Sequence, residues 1–163
     1  MYSDDFRENY VITPKKGTTG NERFYIMALD DIDNSEHYWY KSAYNKMTID
    51  TSEDFEKGKE NTQTMISQWN SNKYPPQDDN DMWGLILTQV NSGWFVPSRA
   101  EWSAFAGELG ITKDNYVTYN LSDWYWSSSQ YSTSRAWCAG FNDGYMGGSN
   151  VNIHTYVRLA ATF

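Results

Sequence analysis

Apolar and polar positions along this chain follow two periods, and the switches between them mark out its elements. Residues 23–29 (RFYIMAL), bounded by Gly20 and an acidic turn over 30–35, are rich in β-formers and predict a buried strand. His37, Tyr38, Trp39 and Tyr40, just beyond the turn, predict the second strand of a hairpin. Within residues 54–69, Thr62, Met65, Ile66 and Trp69 recur at three- and four-residue spacing, which predicts a helix with Thr51 or Ser52 as its cap. Residues 73–81 read as a loop, because Pro75 and Pro76 cannot donate backbone hydrogen bonds and Tyr74 is biased away from helix. The three aspartates of that loop are expected to face solvent. Residues 82–90 fit a short helix or a buried strand, and periodicity leaves both open.

The best local signal follows. Ser98 with Glu101 three residues later is a capping box, in which each side chain satisfies the other's free backbone N–H at a helix start. Trp102, Phe105, Ala106 and Leu109 then form an apolar stripe and Gly110 supplies a stop, so a helix is expected over 99–109 with residues 94–96 as a strand leading into it. Residues 113–120 predict a connection or a short edge strand. Residues 124–163 open on an aromatic and serine block, pass through a run of Gly, Asn, Ser, Asp and Tyr that favours no regular packing, and close on apolar alternation. Residues 126–129, Ala136, Trp137, Phe141 and 156–163 read as scaffold, with the small polar residues between them as an exposed recognition surface.

Composition narrows this picture. A chain of 163 residues suffices for one domain, read here as residues 21–163. Residues 1–20 read as a junction in which only Tyr10, Val11 and Ile12 could pair as a strand, and which suits trimming from a longer polypeptide. Aromatic residues make up 17% of the chain, so the core must rest on Trp, Tyr and Phe, whose polar tips need partners when buried. A net charge of -8 argues against nucleic acid and against an anionic membrane surface, both of which call for clustered Lys and Arg. No apolar run approaches a membrane span or a signal-peptide core, so either secretion does not use that route or the sequence is trimmed.

Candidate chemistry is sparse. Cys138 is the sole cysteine, which excludes an intramolecular disulfide and a Cys-based zinc site within one chain. Asp30, Asp31 and Asp33 invite a calcium reading but lack the glycine and distal Glu of an EF-hand, and a solvated turn is the simpler expectation. His37 reads as structural. Residues 127–129 have no histidine at a recognisable hydrolase motif.

A series of sequence words nevertheless carries a resemblance. In order they are Gly58-Lys59-x-Asn61-Thr62, Gly93-Trp94-x-Val96-Pro97-Ser98-x-x-Glu101-Trp102, Tyr125-Trp126-Ser127-Ser128-Ser129, Ala136-Trp137, Phe141-x-x-Gly144, and Val157-Arg158 near Phe163. Over residues 20–163 the chain resembles the formylglycine-generating-enzyme-like branch of the C-type lectin fold, and within it the variable proteins of diversity-generating retroelements. The resemblance implies an α+β fold with two helices around a small twisted antiparallel sheet and long irregular loops. It also implies a non-enzymatic ligand-binding domain, since the related oxidases need a pair of metal-holding cysteines that one Cys cannot supply.

In such systems an error-prone reverse transcriptase rewrites adenines near the end of the gene. The residue types reachable from the targeted codons include those at Cys138, Gly140, Asn142, Asp143, Tyr145, Gly147, Gly148, Ser149, Asn150, Asn152, Ile153, His154 and Thr155. With Gln130 and Tyr131 these form the expected variable face over about 129–155, with Tyr131, Tyr145, Asn152 and His154 as anchors, and it is expected to point outward. The expected partner is a protein or glycan on a cell surface, met without cofactor, nucleic acid or membrane insertion, by a homo-oligomer or by part of a larger virion or bacterial surface protein. The alternatives are a lectin, dependent on calcium or not, and a non-diversified adhesive domain. The Glu-Pro-Asn type motif of calcium-dependent sugar binding is absent, leaving Asp123 and Asp143 as candidates for weak calcium binding.

Overall fold

Local chemistry sets the two longer helices. The computed structural model describes residues 25–162. Helix α1 spans Gly58–Asn70 and buries Thr62 and Met65 of the expected stripe, while Ile66 and Trp69 are half-buried. Its cap differs from expectation: Lys57 occupies the N-cap with no side-chain hydrogen bond. Thr51 and Ser52 serve elsewhere, the Thr51 hydroxyl accepting from the Gln130 N–H (2.8 Å) and the Ser52 carbonyl from the Ser129 hydroxyl (2.8 Å). Residues 82–90 resolve to helix, as α2 (Met82–Leu85) and α3 (Leu87–Asn91). Helix α4, Arg99–Leu109, has the expected bounds, with both halves of the Ser98/Glu101 capping box made and Gly110 left-handed at φ 65°. Trp102, Phe105 and Ala106 are buried, whereas Leu109 is exposed.

Strand pairing departs further from the sequence reading. The strands are β1 (Tyr25–Met27), β2 (His37–Tyr38), β3 (Trp124–Gln130), β4 (Arg135–Gly140), β5 (Tyr145–Asn150), β6 (His154–Thr155) and β7 (Ala160–Thr162). They form the antiparallel pairs β1–β7 and β2–β6 and the three-stranded sheet β3-β4-β5. The domain is therefore α+β, with four α-helices among the described residues rather than two and with its strands divided among small open sheets. The expected hairpin of residues 23–40 does not form. Asp31 is held instead by Arg158, whose Nε donates to its Oδ1 at 2.7 Å, so the acidic turn leads away from β1. Strand β1 is half-exposed rather than buried. Residues 94–96 contribute a single bridge, Phe95 to Ala160, and residues 113–120 are a connection carrying a 3-10 turn at Tyr116–Tyr119 rather than an edge strand. The Tyr10-Val11-Ile12 strand and the junction lie outside the described residues.

The main sheet explains the aromatic and serine block. Trp126 pairs with Cys138 and Gln130 with Ala136, so Ser127, Ser128 and Ser129 bulge away from the β4 ladder. All three are fully buried, and their polar groups are taken up by other segments. The Ser128 N–H donates to the Pro97 carbonyl (2.8 Å), the Ser127 carbonyl accepts from the Trp39 indole (2.8 Å), and the Ser129 hydroxyl accepts from the Arg99 N–H (3.0 Å). Small hydroxyl residues suit a crowded strand that must satisfy so many neighbouring groups.

The core lies on both sides of this sheet. Trp126, Ala136 and Cys138 join Trp39, Trp83 and Met65 on one side, and Tyr125, Ala139 and Met146 join Trp102 and Phe141 on the other. Asp81, expected at the surface, is fully buried: its carboxylate accepts from the Lys41 N–H (2.8 Å), the Trp69 indole (3.1 Å) and the Asp78 N–H (3.1 Å).

Candidate functional site

Alternation along β4 and β5 sorts the expected variable residues onto opposite faces. Cys138 pairs with Gly147 and Gly140 with Tyr145, while Trp137 pairs with Gly148 and Arg135 with Asn150. The run expected to lack regular packing is thus a continuous two-strand ladder, and only part of it points outward.

Two glycines shape the first face. A Cβ on Gly140 would lie 2.6 Å from the Trp124 ring and 2.8 Å from Asp143 Oδ1, and one on Gly147 would lie 2.0 Å from the Tyr145 ring. The missing side chains let Trp124 and Tyr145 lie across bare backbone, where they meet edge to face at 6.0 Å. Gly147 and Tyr145 therefore act as a pair, one vacating the space the other fills. Beside them Glu36, Trp124, Cys138, Ser149, Ile153, His154 and Thr155 line a cavity of about 180 Å³. The His154 ring rests on Tyr38 at 4.1 Å. The Thr155 hydroxyl donates to the Trp124 carbonyl at 2.6 Å and holds the turn against β3.

The opposite face carries a different group. Tyr131 meets Trp137 edge to face at 4.7 Å and covers Gly148, where a Cβ would lie 2.7 Å from its ring. The Arg99 guanidinium lies 4.8 Å from the Trp137 ring, and the Trp137 indole donates to Glu53 at 2.8 Å. Trp137, expected in the core, is half-exposed, as is Tyr156. Tyr131 is consequently separated by the sheet from Tyr145 and His154, and the expected anchors do not form one cluster.

Burial corrects the outward orientation expected of the variable face. Asn142, Asn152, Ile153, His154 and Tyr131 are exposed, and Asp143, Tyr145, Gly148, Ser149 and Asn150 are half-buried. Gln130, Cys138, Gly140, Gly147 and Thr155 are buried instead. Gln130 is held by the Asp50 N–H (3.3 Å), and Thr155 by Trp124. Cys138 packs with Trp126 under the cavity floor, and burial pushes its thiol up, offset in part by a hydrogen bond with Ser149. It is therefore an inert packing residue rather than an exposed oddity.

The sequence reading missed Trp124 and Glu36 as lining residues. Trp124 was legible as an aromatic at the start of the block. Glu36 reaches the cavity only because β2 pairs with β6, for which no local signal exists.

The other acidic and serine candidates have structural duties. Asp31 accepts from Arg158, from the Tyr125 hydroxyl (2.8 Å) and from the Ser122 hydroxyl (3.2 Å). Buried His37 bridges Asp33 (2.7 Å) and Asn80, in keeping with a structural role. Asp123 accepts from the Tyr116 hydroxyl (2.7 Å), and Asp143 caps the Tyr145 N–H (3.0 Å). Among the described residues no group of three or more His, Cys, Asp or Glu side chains is placed to hold a metal ion, and no helix is long and apolar enough to cross a membrane. In comparisons with known proteins, no family model and no curated protein matches the sequence.

Proposed function

We propose that this protein is a non-enzymatic ligand-binding domain of the C-type lectin type, resembling the variable proteins of diversity-generating retroelements, and that its recognition face is the Trp124, Tyr145 and His154 side of the β3-β4-β5 sheet. One observation carries the reading. Among the described residues, the side chains of Asn142, Tyr145, Asn152, Ile153 and His154 make no hydrogen bond, whereas the segments on either side are pinned by buried Trp126, Phe141, Val157 and Arg158. Exposed or half-buried side chains that carry none of the fold's hydrogen bonds can change at small cost to stability. Tyr with small polar neighbours is also the composition of antibody paratopes, where rigid aromatic area combines with adaptable hydrogen bonding.

The partner is a protein surface, because the face is shallow and its cavity is far smaller than the ~300–1,000 Å³ typical of small-molecule sites. A display library randomised at Asn142, Tyr145, Asn152, Ile153 and His154 tests this. Most members are expected to keep the parental melting temperature within a few degrees and to yield binders when selected against cell-surface proteins. Widespread loss of folding would show these positions to be structural and would sink the reading.

A further inference from the structure

The cavity beside Trp124 has a definite charge and a definite size. Glu36 stands at its edge, exposed, and its carboxylate has no cationic partner among the described residues. Asp143 places a second carboxylate across the bare Gly140 backbone from the Trp124 ring, both lying within 3 Å of the same point. Its Oδ1 accepts only a backbone N–H, that of Tyr145. Trp124, which lines the cavity with Glu36, meets Tyr145 edge to face at 6.0 Å. Lys41, over the Tyr38 ring at 4.8 Å, is tied to Asp78 at 2.9 Å and pairs with neither acid. His154, whose ring rests on Tyr38, is the basic group among the described lining residues. Aromatic faces flanked by carboxylates attract a desolvating cation, by the ring quadrupole and by charge together. At about 180 Å³ the space suits one side chain rather than a whole small-molecule ligand. A net charge of -8 adds a long-range field that draws in a basic partner.

We propose, resting on the reading of this face as a ligand-binding one, that the cavity between Glu36 and Trp124 receives a cationic side chain, the ammonium of lysine or the guanidinium of arginine, projecting from a basic protein surface. Trp124 would supply the cation-π face, and Glu36 and Asp143 the charge. The aliphatic stem would lie along Ile153.

The test is NMR titration of the full chain with n-butylammonium, n-butylguanidinium and neutral n-butylurea, followed by a peptide with three spaced lysines and its norleucine counterpart. Saturable shifts of the Trp124 indole and the Ile153 methyl groups are expected with both cations and not with the urea. Glu36→Gln should weaken cation binding about three- to tenfold. The lysine peptide should bind more tightly than butylammonium and should lose affinity as salt rises.

Equal shifts from butylurea, no saturable shift in the cavity, or an unchanged affinity in Glu36→Gln would overturn the proposal. Equal affinity for the lysine peptide and butylammonium would reduce the ligand to a small amine and overturn the protein-surface assignment. If the randomised library yields binders while the cations fail, the charge assignment falls alone. If the library fails to fold, the face itself is misassigned.

Discussion

Strands β3 and β5 flank β4 in one sheet, and both are written in small polar residues: Ser127, Ser128 and Ser129 in one, Gly147, Gly148 and Ser149 in the other. Their fates differ. The β3 serines are fully buried, while Gly148 and Ser149 are half-open. The difference lies in what arrives from elsewhere. Residues 52, 97 and 99 bring backbone groups to β3 that need partners, and the serines supply them. β5 carries no comparable load, and its glycines instead clear space for the rings of Tyr145 and Tyr131. Small polar residues in a sequence thus mark either a crowded hub or an open face, and only the long-range partners decide which.

The sharpest test contrasts one aromatic residue from each strand. Trp126→Ala in β3 removes a fully buried ring whose indole donates to the His37 carbonyl at 2.7 Å, and it should cost about 3–5 kcal/mol. Tyr145→Ala in β5 should cost about 1 kcal/mol or less, as expected of a half-exposed side chain without a hydrogen bond. Urea unfolding followed by near-ultraviolet circular dichroism compares the two, and equal losses would break the contrast.

A second test probes the support behind β3. The Glu101 carboxylate sits against Gly58, where a Cβ would lie 2.1 Å from its Oε2. Oε2 accepts from the Ser98 N–H at 2.8 Å, while Oε1 has no partner among the described residues. Burial pushes this acid up to about 7, outweighing the N–H groups of Ser98, Gly58 and Glu56 that favour its charged form. A raised carboxyl favours the folded state when protonated. Its contribution is therefore full below the ordinary glutamate value, falls as pH rises, and is gone above about 7. The loss amounts to about 3 kcal/mol. Glu101→Gln should remove that slope between pH 4.5 and 7 relative to the wild type. Parallel pH profiles for the two proteins would show that the carboxyl titrates normally.

The smallest effect separates the two sets of serines. Ser129→Ala leaves the Arg99 N–H without its partner and removes one of two donors to the Ser52 carbonyl, the other being the Asn61 amide, and should cost about 1–3 kcal/mol. Ser149→Ala should stay within about 1 kcal/mol, since its hydroxyl serves only the Cys138 thiol. Thermal melts of the pair decide it, and a reversal would place the hub in β5.

The same division explains what could be read from sequence. Helix α4 was legible to the residue because its start, stripe and stop are all local: Ser98 with Glu101, Trp102 with Phe105 and Ala106, and Gly110. Helix α1 was legible by its stripe but not by its cap, because Thr51 and Ser52 answer to Gln130 and Ser129, far along the chain. Strand partners were not legible at all. His37 meets Thr155 and Tyr25 meets Thr162 through pairings that leave no mark in either segment alone. Within the candidate site Asn152 and Ile153 of the turn and His154 of β6 were placed outward correctly, but Gln130, Cys138 and Thr155 were not, because their burial depends on Asp50, Trp126 and Trp124 arriving from other elements.

The pairing of β1 with β7 also governs the order in which the molecule can assemble. Contacts between Tyr25 and Thr162 and between Met27 and Ala160 reward the chain only after nearly its whole described length has been closed into a loop. During synthesis β1 and β2 wait for their strand partners β7 and β6 until residues 154–162 have emerged from the ribosome, while helix α4 can form from its own signals. Among the described residues, those that complete the fold are the last to be made.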